Sequence, residues 1–493
     1  MLAYQSHSIE SIDKSFPKKR HVVLIGMAHE GFFRNFEELI SLLLAAGVDI
    51  HIHFSKSHNS IKITDYKLPD SSANGKVTFS FGSDYSNAAE QHRIWRDAIH
   101  YSKPAFKSAH DIKTRFPDLQ KITGKLNKKK LAKIIRIASI VPGFVKKIAD
   151  WYLRRQDEKT PPSKDSSDII SSINPDCVIV TPLVNFASKE VDLVKAARAQ
   201  KITTILATAS WDNLTNKGLI KIQPDYVAVW NRHMAHEATS LHDIRQERVW
   251  TTGATPFDRW FEMKPTRGRK TFFHSLGFVP SRPLIVYLCS SEAIAGRQEW
   301  EIIRNWISAI RLSGLQKVNI LIRPHPLTLT QWNKLFLMED SNIGDLSGGK
   351  VWPLNPKHPV DTGSMADYFD TLYHADAVVG LNTSSMIEAA ILGKPVLTFL
   401  GHSVVDSQTG NLHYQHILRG GFMRQARDLE EHCLQLDYVL DKNNRENIAE
   451  SCKHFVADFV RPIGEKVNAS EFLAGLILNQ LNQHKNRKSK NVI

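Results

Sequence analysis

At 493 residues the chain is longer than one hydrophobic core usually serves, and 42% hydrophobic against 23% charged residues excludes long disorder outside the ends and one middle segment. The formal net charge of +14 points to an anionic partner, but ten Lys and Arg residues fall between Lys125 and Arg155 against one acid, Asp150; so local an excess gives no ground for a specific nucleic acid. No apolar run reaches the roughly 18 residues of a membrane span, and Cys177, Cys289, Cys433 and Cys452 are too scattered for metal-ligand spacing or a disulfide framework, so no metal and a reducing, cytoplasmic setting are expected.

Residues 1–19 read as a polar tail without the apolar centre of a secretory signal. HVVLIG at 21–26 is a short apolar strand; a loop with His29, Glu30 and Arg34 follows, then a helix over 35–46 closed by Gly47 and an alternating strand over 48–54. Strand, loop, helix, strand is the unit of parallel sheets. Residues 60–123 give no regular pattern. From 125 to 153, Leu131, Ile134, Ile135, Ala138 and Val141 recur at helical spacing among Lys and Arg, until Pro142 and Gly143 interrupt them. Such a basic helix fits contact of 125–155 with an anionic membrane surface, or packing on its own domain with the lysines in solvent.

The alternation resumes after a Pro- and Ser-containing linker. Strands are expected at 177–180, 202–206 and 225–230, with helices at 189–200 and 232–240. The polar exits Ser210-Trp211-Asp212-Asn213 and Gly253-Ala254-Thr255-Pro256-x-Asp258 belong to this half, and Asp258 suits interdomain structure better than substrate contact. A basic stretch at 264–283 marks the boundary. Beyond it, strands at 283–289, 318–322 and 377–379 alternate with helices at 300–312 and 364–374; the chain is helical from Glu430, with an apolar-faced helix over 469–483. The expected fold class is α/β, two Rossmann-like domains facing across a cleft with a basic helical insertion. The N-terminal domain is 20–265, including 125–155, and the C-terminal domain 275–465; a terminal helix at 466–483 and a basic tail at 484–493 follow.

Chemistry concentrates at strand exits of the second half. In Asn382-Thr383-Ser384-Ser385-x-x-Glu388, followed by Gly393-Lys394-Pro395, hydroxyl residues open a helix whose free N–H groups and dipole suit a phosphate. Ser385 and Glu388 equally have the spacing of a capping box, while Glu388 is placed to accept ribose hydroxyls. In Arg323-Pro324-His325-Pro326 the prolines stiffen the loop, the Arg fork suits phosphate oxygens, and the His can donate to them or to a leaving group. Ser290 heads a third polar exit. In the first half Asp212 or His29 can take a proton from an attacking hydroxyl, and Asp212 can equally cap the next turn. Gly26-x-x-x-x-Gly31 lacks both the GxGxxG fingerprint and the Gly-Lys-Ser/Thr of a P-loop.

The SWDN, GATP, RPHP and NTSSxxE…GKPV runs occur in that order over about residues 200–400, and together they resemble the GT-B glycosyltransferase superfamily. The similarity is to the bacterial branch with CDP-glycerol glycerophosphotransferases and surface-polysaccharide sugar transferases. The resemblance implies that the C-terminal domain holds the nucleotide and the N-terminal domain the acceptor, with His325 at the donor phosphate, Thr383 to Ser385 near the diphosphate and Glu388 at the ribose. Gly380 stands where the best-known pattern has a second glutamate, and Gly-Leu-Asn-Thr-Ser-Ser replaces an Asp-Tyr-Ser-Ser run. The expected function is transfer of a sugar from a nucleotide-sugar co-substrate (UDP, GDP, CDP or CMP), with no other cofactor, to a glycan or lipid-linked glycan at the inner face of the cell membrane. The expected catalytic set is Asp212, His29 and His325; the donor set is Ser290, Arg323, His325, Asn382, Thr383, Ser384, Ser385 and Glu388. A glycerophosphotransferase-like polymer transferase, a sugar-nucleotide 2-epimerase and a non-catalytic polysaccharide-assembly protein are the alternatives.

Overall fold

The computed structural model describes residues 20–55, 74–82, 89–103, 140–186, 188–291, 299–325, 349–351, 362–400 and 408–490. The 1–19 tail and the 131–138 part of the apolar stripe lie outside the described residues.

The first half runs β1 (Val22–Met27), a 3-10 turn Glu30–Asn35, α1 (Glu37–Ala45), β2 (Asp49–Phe54), β3 (Val77–Phe81), α2 (Glu90–Tyr101), α3 (Gly143–Lys159) and α4 (Lys164–Ile173). It continues through β4 (Cys177–Thr181), α5 (Glu190–Ala199), β5 (Thr203–Ala207), β6 (Tyr226–Val229), α6 (Arg232–His242), β7 (Val249–Thr251) and a 3-10 helix Thr255–Phe261. After α7 (Arg269–Ser275) the second half comprises β8 (Leu284–Leu288), α8 (Glu299–Leu312), β9 (Asn319–Arg323), β10 (Gly349–Val351), α9 (Thr362–His374), β11 (Ala377–Gly380) and α10 (Ser385–Ile391). It ends with β12 (Val396–Phe399), α11 (Leu412–Arg419), β13 (Met423–Ala426), α12 (Leu429–Leu440), α13 (Arg445–Phe459) and α14 (Ala469–Lys490).

The described strands form two sheets, ordered β3-β2-β1-β4-β5-β6-β7 and β10-β9-β8-β11-β12-β13, with every pairing parallel. Helices cover both faces, so β4, β8, β9, β11 and β12 are buried along their whole length and read in sequence as continuous apolar runs. Alternation along β1 feeds two cores. Val23, Ile25 and Met27 pack with Leu39 and Leu43 of α1, whereas Leu24 turns to Val191 and Val194 of α5. The second core continues without a break through Trp230, Phe257 and Trp260 into the other half.

Two expectations change. The helix read over 35–46 is split, because the His29 ring accepts from the Gly31 amide (3.1 Å) and caps a separate turn, leaving α1 to begin at Glu37. The terminal helix runs on to Lys490, through residues read as a tail; that stretch is rich in Lys and Arg and has no Gly or Pro to stop it.

The last helix returns to the first sheet. Ala254 donates its amide to the Val460 carbonyl (3.0 Å), and the Asp258 carboxylate accepts from the Ala469 amide (2.9 Å), the Ser470 amide (2.8 Å) and the Ser470 hydroxyl (2.8 Å). Asp258 therefore caps α14, whose Leu473, Ile477 and Leu481 complete the core around α1. Gly253 makes this crossing possible: its φ is +89°, and a Cβ there would lie 2.9 Å from the Ala469 Cβ and 3.2 Å from the Val460 carbonyl oxygen. Among the described residues no helix is long and apolar enough to cross a membrane.

Candidate functional site

In open α/β sheets ligands collect beyond the carboxyl ends of strands, where the strand order reverses. Here that is between β1 and β4 in one sheet and between β8 and β11 in the other. Register sharpens the second site. Leu288 pairs with Gly380 on one side and Arg323 on the other, so three strands end level. Ser290, His325 and Asn382 each stand two residues beyond those ends, which brings three exits far apart in sequence to one edge.

The first half offers a matching edge. Asn35 donates to the Ala209 carbonyl (3.1 Å) and accepts at its own carbonyl from the Thr255 hydroxyl (3.0 Å), tying the exits of β1, β5 and β7 together. His29 and the Asp212 loop are thus held in one rim. Asn213 shapes that loop by accepting from the Ala209 and Ser210 amides (2.9 and 3.1 Å), and the half-buried Asp212 carboxylate accepts from the Asn216 side chain (2.7 Å). Helix α11 of the second half closes on the same loop: the His413 ring meets Trp211 edge-on at 4.7 Å and lies 3.3 Å from the Thr215 hydroxyl. One turn further, His416 pairs with the buried Glu237 of α6 at 2.5 Å.

Between the two rims lies a group of residues that only folding assembles. The Tyr368 hydroxyl donates to Glu388 at 2.5 Å, the Arg323 guanidinium sits over the Tyr368 ring at 5.2 Å and donates to the Thr371 hydroxyl at 2.7 Å, and Trp260 meets Tyr368 edge-on at 5.7 Å. Burial raises the Glu388 carboxyl above its ordinary range against the pull of the Tyr368 hydrogen bond and of the positive charges of Arg259 and Arg34. Burial, with the charge of Arg34 added, holds the His325 ring down to about 4, so it is neutral at physiological pH. Both arginines come from the first half, Arg34 from the turn capped by His29 and Arg259 from the 3-10 helix that rests on α10.

Several expectations shift. Arg323, Ser290 and Asn382 are buried, and the Arg323 guanidinium is engaged with Tyr368 and Thr371. Ser290 is held by its amide, which donates to both Glu299 oxygens (2.8 and 3.0 Å); burial pushes that carboxyl up to about 8. The capping-box roles are not taken, because Ser384 is the cap and Ser385 lies inside the helix, while Thr383 accepts from the Ser385 amide (3.3 Å). Ser384 is exposed, and Thr383 and Ser385 are partly so. Tyr368, Arg34 and Arg259 stand outside the expected set. Arg34 lies in the exit already marked by His29, and Arg259 directly follows Asp258; Tyr368 has no local signal. Among the described residues no group of three His, Cys, Asp or Glu side chains could hold a metal ion.

No protein-family model and no curated protein matches the chain. Solved structures do. The UDP-GlcNAc 2-epimerase of Methanocaldococcus jannaschii in complex with UDP-GlcNAc and UDP is 12% identical, with 94% of this chain and 100% of that one covered and a TM-score of 0.51. A glycosyltransferase from Rickettsia africae is 10% identical over 94% of this chain and 98% of that one, with a TM-score of 0.50. Two parallel sheets with level strand exits at their facing edges, and this likeness along nearly the whole chain, identify the fold as GT-B, the architecture these epimerases and glycosyltransferases share.

Proposed function

We propose that the chain is a nucleotide-sugar-dependent glycosyltransferase that moves a sugar to a hydroxyl of a glycan or lipid-linked glycan in surface polysaccharide biosynthesis, on the cytoplasmic side of the membrane. One observation carries the reading: the level ends of β8, β9 and β11 bring Ser290, His325 and Asn382 to one edge, where Arg34 of the first half acts on His325 and Glu388 and Arg259 on Glu388. Breaking an anomeric bond leaves new negative charge on the departing diphosphate. Fixed positive groups at that point stabilise the transition state more than the ground state. Arg34 and His325 take the phosphate nearest the sugar, with Arg259 beside them and Thr383 to Ser385 along the rest of the diphosphate. Glu388 accepts ribose hydroxyls; Tyr368 occupies one of its roughly four lone-pair sites and fixes its direction. Asp212 or His29, on the opposite rim, takes the proton of the acceptor hydroxyl.

The M. jannaschii structure contains UDP-GlcNAc and UDP, which supports UDP as the first nucleotide to try. The deciding experiment incubates the protein with UDP-, GDP-, CDP- and CMP-sugars, with and without glycan acceptors. Acceptor-dependent nucleotide release supports transfer. An isomerised donor would assign a 2-epimerase instead, and inertness towards every nucleotide would leave a non-catalytic assembly protein. Arg34→Ala and His325→Ala should each lower turnover by about a hundredfold; folded variants with unchanged turnover would remove these residues from the mechanism.

A further inference from the structure

Helix α3 is built inside out for a surface helix. Its charged side faces the protein: Asp157 accepts from Arg93 (3.1 Å) and Lys195 (3.1 Å), and Asp150 from Arg96 (2.8 Å). Its apolar side faces out. Phe144, Ile148, Trp151 and Tyr152 are 67%, 60%, 58% and 56% exposed, at spacings that set all four on one stripe, and Ile140 just before the helix is 80% exposed. A water-facing helix has the opposite arrangement. The stripe is rimmed by exposed Lys147 and Arg155, the latter with its guanidinium 5.3 Å from the Trp151 ring. In sequence, 125–139 adds six Lys or Arg and no acid.

We infer that this face is a docking surface for an anionic lipid bilayer. Phe144 and Ile148 enter the acyl boundary, Trp151 and Tyr152 settle among the headgroups where rings with one polar edge are favoured, and Lys147 and Arg155 meet lipid phosphates. The charge decides the occupant: among the exposed residues from Gly143 to Lys159 the only acid is Glu158, and it pairs with Arg154 (3.1 Å). The position gives the surface a purpose. α3 packs on α2, and α2 braces the segment that follows Asp212: Asp97 accepts from the Leu219 amide (2.7 Å) and pairs with Lys221 (3.0 Å), while Tyr101 donates to the Lys217 carbonyl (2.7 Å). The segment that follows Asp212 therefore lies two helices, roughly 20 Å, behind the docking face. A lipid-linked acceptor would reach it from the bilayer, a point that rests on the transferase reading; the surface itself does not.

The test is co-sedimentation of the full-length protein with phosphatidylcholine vesicles with or without about 30% phosphatidylglycerol, using wild type, Ile148→Ser/Trp151→Ser and Lys147→Glu/Arg155→Glu. All four side chains are exposed, so melting temperatures should match. Wild type should bind the anionic vesicles, lose binding in high salt, and lose it about tenfold or more in each variant. Absent binding, or equal binding by all three proteins, would overturn the proposal. So would a dimer that the apolar variant converts to monomer with no vesicle binding, which assigns the face to a second copy. Shielding of Trp151 from acrylamide in the free protein, read as the quenching difference from Trp151→Phe, would overturn it too, because the chain then covers the face itself. Binding of UDP, GDP, CDP and CMP measured without vesicles separates the two proposals: vesicle binding without binding of any of these nucleotides keeps the surface and sinks the transferase.

Discussion

Tyr368 receives a cation on its ring and gives a hydrogen bond to a carboxylate, which joins Arg323, Tyr368 and Glu388 in one chain of contacts. Tyr368→Phe keeps the ring and deletes the donor. Glu388 then loses a hydrogen bond in a desolvated place, and UDP affinity by calorimetry, measured below the variant's melting temperature, should fall about tenfold, roughly 1.5 kcal/mol; unchanged affinity would detach the pair from the site. His325 gives a pH prediction. Its folded pKa, about 4, lies below the ordinary 6.5, so the group leaves stability unaffected above pH 6.5 and lowers it as pH falls towards 4. Its ring should titrate near 4 by NMR in the free protein and higher with UDP bound, where the diphosphate favours the charged form. Proton uptake at pH 6, seen as a buffer-dependent binding enthalpy, checks this; its absence would place His325 away from the phosphates. The strand exits that carry His325 and Glu388 were legible because stiff loops and helix starts leave local marks. The contacts of Arg323 were not legible, since the partners of a strand's last side chain come from α9, far away in sequence. Tyr368 was not legible, because what makes it matter is a contact between distant elements.

Elements were easier to read than their ends. Continuous apolar runs mark strands covered on both faces, so β4, β8 and β9 could be placed from sequence. The start of α1 was displaced by a side-chain cap, and α14 outran its apolar pattern because polar residues can extend a helix that is already nucleated. The outward stripe of α3 was hidden for a related reason: apolar spacing tells that a face exists but not which way it turns. Gly253→Ala tests the crossing of α14. The added Cβ meets both a disfavoured φ and the Ala469 side chain, so a loss of about 2 kcal/mol or more is expected in urea unfolding. A loss below about 0.5 kcal/mol would mean that the crossing relaxes freely.

At the scale of the molecule the two halves are joined by more than one connection. The chain passes forward through Thr255–Phe261 and back between Val460 and Ala469, and α11 adds a third bridge through His413 and His416. Such an arrangement favours closure about a narrow hinge over free rotation of two beads on a tether. Deleting everything after Val460 removes α14, and with it the burial of Leu473, Ile477 and Leu481, roughly 5 kcal/mol of apolar contact. The shortened protein should precipitate or melt well below the full chain, and one that melts alike would show α14 to be dispensable. Adding residues 461–493 as a separate peptide should restore part of the loss.

The return of α14 also bears on the order in which the protein is made. Val23, Ile25, Leu39 and Leu43 leave the ribosome long before the helix that seals them, which follows every described strand of both sheets. The second sheet holds all its own strands and can close while the first still waits for its cover. The half made earlier is therefore the one that completes its core later, and a synthesis interrupted before α14 leaves its apolar face open to other nascent chains.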